Sequence, residues 1–120
     1  MDQEVWLPRP LTAVFDHLAA PPQLGDWLPE VAAVDADAMP LAGVGAAFGL
    51  RLHRDGREVA VAGELIAYEP PWSVAYRLTA GSHTHVLRLT CTSAAGGTRV
   101  RVRQADSTTP LAVDLHRLQA

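Results

Sequence analysis

The chain has 120 residues, 48% hydrophobic and 19% charged, which is enough apolar material for one sizeable core and so for one expected domain over residues 1–120. Its net charge of −3 argues against a partner gripped through nucleic-acid phosphates, and no apolar run approaches the roughly 20 residues needed to span a bilayer. The opening MDQEVW lacks a basic segment followed by an apolar one, so the cytoplasm is the expected location, and the lone Cys91 excludes an internal disulfide and any multi-cysteine zinc site. Every basic residue is arginine, and there is no lysine or asparagine, a compositional bias with no bearing on chemistry.

In chain order, Glu4, Val5, Trp6 and Leu7 form a short strand candidate ended by Pro8. Leu11, Val14, Phe15 and Leu18 then fall at i, i+3, i+4 and i+7, the stripe of an amphipathic helix with Pro10 in its first turn. Pro21 and Pro22 break it, and QLGDWLP has room for one or two further helical turns. From Val31 onward the period becomes that of strands, over residues 31–37, 46–53, 58–68, 72–80, 83–92 and 98–106, with RDGR, AGS and AAGG as turns between neighbours. Leu111, Leu115 and Leu118 return to helical spacing after Thr109 and Pro110, which suit the cap and first position of a terminal helix. No repeat or linker interrupts this order. Such a meander must curl to bury one face, and the terminal helix is the natural filling.

Four stretches carry a resemblance: LPRPLTAVFDHLAAPPQLGDWLPEV (7–31), PLAGVGAAF (40–48), ELIAYEPPWSVAYRL (64–78) and GGTRVRVRQ (96–104). In this order the chain resembles the START-related superfamily of polyketide cyclases, dehydrases and lipid-transport proteins, abbreviated SRPBCC. The resemblance implies an α+β helix-grip fold, a curved antiparallel β-sheet wrapped around a C-terminal α-helix, with two short helices after the first strand. It also makes Pro70-Pro71 a tight strand connection, with Trp72 opening the next strand on its inward face. The end of the chain departs from the family pattern, since the residues after Pro110 amount to roughly 16 Å of helix at ~1.5 Å per residue. A helix that short leaves apolar wall open for a second copy of the chain, as a homodimer, or for ligand.

Alternation sorts the side chains. His83, His85, Leu87, Leu89 and Cys91 share the inward face, with Trp72, Val74, Tyr76 and Leu78, with Phe48, Leu50 and Leu52, and with Val100, Val102 and Gln104. Arg99, Arg101 and Arg103 point outward, as a solvated face or as a surface for an anionic partner. The strand from Glu58 supports two faces, Val59, Val61 and Leu65 arguing for one and Ile66 and Tyr68 for the other; it is read with Val59, Val61, Gly63 and Leu65 inward and a bulge near Gly63.

The candidate chemistry rests on His83, His85 and Tyr76, titratable groups on an apolar wall that can move protons during enolisation, aldol closure or dehydration. The two imidazoles would bind a metal only if a third ligand such as Glu69 converged, so neither metal nor cofactor is expected. Trp27, Phe48, Leu50, Trp72, Leu87 and Val100 are the expected ligand-binding wall, the two tryptophans able to stack on a flat molecule. Cys91 has no evident activating neighbour, and the GVGAAFG stretch spaces its glycines wrongly for a dinucleotide fingerprint. Three functions remain open. One is a polyketide cyclase/dehydrase-like enzyme acting on a hydrophobic, carbonyl-bearing substrate. The second is a carrier holding an aromatic, polyketide or lipid-like ligand. The third is an interaction module with an apolar groove for another chain.

Overall fold

Alternation gives the strands one apolar face, and the hairpin turns are short enough to force antiparallel neighbours. The computed structural model describes residues 2–35, 44–105 and 111–119. Seven strands, β1 (Asp2–Leu7), β2 (Val31–Asp35), β3 (Ala47–Arg54), β4 (Arg57–Glu69), β5 (Ser73–Ala80), β6 (His83–Ala94) and β7 (Gly97–Ala105), build one curved, unclosed antiparallel sheet in the spatial order β1-β7-β6-β5-β4-β3-β2. This is the helix-grip fold.

The order has a direct consequence. Because β1 lies at one edge and β2 at the other, the chain between them must cross the whole sheet, and it does so on the apolar face. Helix α1 (Leu11–Leu18) starts after Pro10, which occupies the capping position just before the first turn. Val14, Phe15 and Leu18 are buried, and the Tyr76 hydroxyl donates to the Leu18 carbonyl at 2.6 Å, tying the helix end to β5. The second helix is a 3-10 helix, Pro21–Asp26, that ends at Trp27.

At the hairpin between β3 and β4, Asp55 (φ 51°) and Gly56 (φ 78°) both occupy the left-handed region, and Ala95 (φ 49°) and Gly96 (φ 79°) do the same between β6 and β7. That is the mirror-image turn that matches strand twist. The bulge in β4 falls at Ile66, between Leu65 and Ala67, three residues beyond the expected position. It puts Tyr68 on the same face as Val61, Gly63 and Leu65, which explains why the sequence there supported two faces at once.

On the outer face, Asp2 and Glu4 of β1 lie opposite Arg103 and Arg101 of β7, and Glu4 also reaches Arg99, with N–O distances of 3.6–3.7 Å. The arginine stripe is thus partly neutralised by the edge strand. The Arg side chains are more than half exposed, where such pairs contribute little.

The C-terminus differs from the expected α-helix. Its described part is a segment without regular secondary structure, residues 111–114, followed by a five-residue 3-10 helix, Leu115–Gln119, while the proposed cap at Thr109 and Pro110 lies outside the described residues. Residues 111–118 form a strap over the concave face, with Leu111, Leu115 and Leu118 all buried. Backbone outside helix and sheet cannot satisfy its own polar groups, so other parts of the chain do so. Gln104 donates to the Leu111 carbonyl (2.8 Å) and accepts from its N–H (3.0 Å), Glu30 accepts from the Ala112 N–H (2.8 Å), the Trp27 carbonyl accepts from the Asp114 N–H (2.9 Å) and Arg9 donates to the Leu118 carbonyl (2.8 Å).

A left-handed conformation is costly for alanine, and asparagine before glycine is the favoured pair for this turn. Ala95→Asn is therefore expected to stabilise the protein by about 0.5–1 kcal/mol, read as a higher urea midpoint at unchanged slope. An unchanged or lower midpoint would contradict the turn assignment.

Candidate functional site

Strand register brings the inward side chains into rows. Phe48 faces Gly63, Gly63 faces Leu78 and Leu78 faces His85. In the next row Leu65 faces Tyr76, Tyr76 faces Leu87 and Leu87 faces Gln104. Gly63 is required here: a Cβ at that position would collide with the ring of Phe48, which lies across it. Phe48 thereby meets Tyr76 edge-on, with ring centroids 6.1 Å apart at 88°, and Trp27 comes over from the 3-10 helix to 6.5 Å on Tyr76. Phe48, Tyr76 and Trp27 form the aromatic centre of the interior.

His85 is 4% exposed, and its Nδ1 is buried without a hydrogen-bond partner. Burial lowers its pKa from the ordinary 6.5, the Arg54 charge and His83 lower it further, and Glu30 opposes them. The imidazole is therefore neutral at pH 7. Glu30 and Arg54, each with a side chain about one-fifth exposed, form an ion pair at 2.8 Å beside the strap. Trp27 is 0% exposed and its Nε1 is likewise buried with no partner.

The other expected site residues separate. Leu50, Leu87 and Val100 are buried on the inward face with Phe48. His83 shares the His85 face but is exposed at the start of β6. Tyr76 is fully buried, its pKa raised chiefly by loss of solvent, and its proton is committed to Leu18. Trp72 corrects an expectation: it sits in the turn before β5 and is 55% exposed, because the strand begins one residue later. Its carbonyl accepts from the Cys91 N–H. Cys91 is buried and its thiol is pushed up to about 12, which removes its nucleophilic form.

Glu69 pairs with Ser73 whereas His83 pairs with Ala80, seven positions along β5. At ~3.3 Å per residue that separation forbids a shared metal. Among the described residues no three His, Cys, Asp or Glu side chains gather as a metal site.

Sequence reasoning missed Arg54, and Glu30, which with Asp26 flanks Trp27, reads from the sequence as a surface carboxylate. Gln104 carried a signal, being a polar residue on the inward face after Val100 and Val102. It also backs a hollow of about 250 Å³ lined by Asp2, Gln3, Val102 and residues 111–113.

The family profile described as "Polyketide cyclase / dehydrase and lipid transport" matches residues 1–114. The chain belongs to this family. Solved structures similar to this member include the protein CV1439 from Chromobacterium violaceum (17% identity, TM-score 0.71, 89% of this chain and 78% of that one). Ara h 8.0201 is similar at 15% identity and TM-score 0.69, over 92% of this chain and 80% of its own. The di-domain ARO/CYC BexL from the BE-7585A biosynthetic pathway has a TM-score of 0.68 at 17% identity, and the match covers 95% of this chain but 36% of that one. At these identities the likeness extends to the fold alone. A comparison with curated protein sequences returned no match.

The depressed pKa of His85 fixes the sign of a pH effect in this family member. The unfolded chain binds the proton more tightly, so this residue's contribution to stability is present above about 6.5 and declines as the pH falls from there towards the folded value. Unfolding free energies at pH 7.5 and 5.5 (values set about one unit either side of the free imidazole) should differ more for wild type than for His85→Gln. Equal differences would mean that His85 titrates alike in both states.

Proposed function

We propose that this domain binds a small hydrophobic, carbonyl-bearing molecule in its helix-grip interior and acts on it as a polyketide cyclase/dehydrase-like enzyme, with His85 as the proton-transfer group. The observation that carries the reading is a neutral, buried imidazole with a free Nδ1 on an otherwise apolar wall. A neutral imidazole can take a proton from the carbon beside a carbonyl and return it to oxygen during dehydration. Phe48, Leu50, Leu87, Val100 and Trp27 supply the apolar enclosure in this reading. His83 and Tyr76 take smaller parts, since one faces water and the other is held by Leu18. The site works as one domain in the cytoplasm, and a homodimer is not needed to cover Leu111, Leu115 and Leu118, which one chain buries. Among the described residues no helix is long and apolar enough to cross a membrane.

A second reading, a non-catalytic carrier, is favoured by the Tyr76 bond to Leu18: it leaves His85 as the one acid/base candidate that is both buried and uncommitted. The two readings separate in one series. Aromatic ketones and β-polyketone analogues are screened for binding, through quenching of Trp27 emission, and for cyclisation or dehydration. With a turned-over substrate, His85→Ala should lower kcat by about 100-fold or more while KM changes little. Unchanged turnover in that variant, or tight binding with no turnover by wild type, would leave the carrier.

A further inference from the structure

Two nitrogens in the interior, His85 Nδ1 and Trp27 Nε1, have no hydrogen-bond partner. The indole is the more telling of the two, because its N–H can donate and do nothing else. A buried donor without an acceptor forfeits the hydrogen bond it would make to water, and the large majority of such groups in folded proteins are paired. Phenylalanine would fill an apolar position without that cost. Nothing else that Trp27 does uses its ring nitrogen. Its carbonyl accepts from Asp114, its backbone N–H reaches the Leu24 carbonyl at 3.2 Å, and its ring packs on Tyr76. The Tyr76 hydroxyl is turned to Leu18.

Both nitrogens belong to side chains that border Tyr76. Trp27 stacks obliquely on its ring, and His85 is its diagonal neighbour, since Tyr76 faces Leu87 while the next inward residue of β5, Leu78, faces His85. Glu30, three residues along the chain from Trp27, pairs with Arg54 at 2.8 Å, and both charges act on His85.

Building on the ligand-binding reading, we propose that Trp27 is the specificity-determining residue of the interior site: its indole N–H donates to the oxygen of a ligand ketone. The ligand class is a flat or elongated ketone, apolar apart from its oxygens. A hydroxyl or enol group on the same molecule would serve His85 Nδ1 as donor. A hydrocarbon of the same shape binds through burial alone and leaves the indole unsatisfied.

The test uses an isosteric pair, 2-acetylnaphthalene and 2-isopropenylnaphthalene, which differ by oxygen against CH2, with affinities measured by calorimetry. Wild type should bind the ketone about tenfold more tightly, and the C=O stretch of the bound ketone should lie below its value in an apolar solvent. In Trp27→Phe, verified as folded by circular dichroism, the preference should vanish with alkene affinity largely kept, and the stretch should return to its apolar value. Equal binding of the pair by wild type, or an unshifted stretch, overturns the assignment without recourse to the variant. A ketone preference that survives in Trp27→Phe overturns it too, and moves the oxygen to another donor. In each of these outcomes ligand binding itself stands, whereas failure of wild type to bind either probe overturns the ligand-binding reading and this inference together.

Discussion

An open sheet of seven strands has a concave face that must be kept from water, and a chain of 120 residues has little left with which to cover it. Helix α1 and the 3-10 helix cover part of it on their way from one sheet edge to the other. The strap of residues 111–118 covers much of the rest, and it is where the physics is tightest. Burying a leucine contributes about 1.5–3 kcal/mol, while ordering backbone costs about 1–2 kcal/mol per residue. Leu111, Leu115 and Leu118 alone do not hold the eight residues of the strap in place. The hydrogen bonds from Gln104, Glu30, the Trp27 carbonyl and Arg9 are therefore part of what keeps the interior dry.

The same groups define the candidate site. Glu30 holds the strap with one carboxylate oxygen and Arg54 with the other, and these two charges pull the proton affinity of His85 in opposite directions. Trp27 holds the strap through its carbonyl and presents its ring to Tyr76. Gln104 closes the row that contains Tyr76 and Leu87. Cover and site are one construction, so a disturbance of the strap should be felt at His85.

Most of this fold was legible because it rests on local signals. Period-two alternation found the strands within a few residues, and the Asp-Gly and Gly-containing turns fixed their pairing. The need of the meander to bury one face argued for the curl, and the family resemblance named the helix grip. Three features escaped for identifiable reasons. Leucines at helical spacing misled at the C-terminus, where tertiary hydrogen bonds outbid a short helix that would have been marginal alone. Trp72 was placed inward by parity, which holds only inside a strand, and β5 starts at Ser73. The pair of Glu30 and Arg54 joins residues 24 positions apart, which no periodicity reports. For the site, alternation found His85, Phe48, Leu87 and Val100 on one wall, but only the assembled structure separates the committed Tyr76 from the uncommitted His85 and Trp27.

The central claim is that the strap and its partners keep a neutral, available imidazole inside the fold. Long-range nitrogen–proton NMR of the histidine rings tests it directly, because it reports protonation at each ring nitrogen. His85 should remain neutral as the pH is lowered through about 6.5, the ordinary imidazole value, and its Nδ1 resonance should move when 2-acetylnaphthalene is added. A His85 ring that titrates near 6.5 like an exposed imidazole, with nitrogens indifferent to the ketone, would contradict the account.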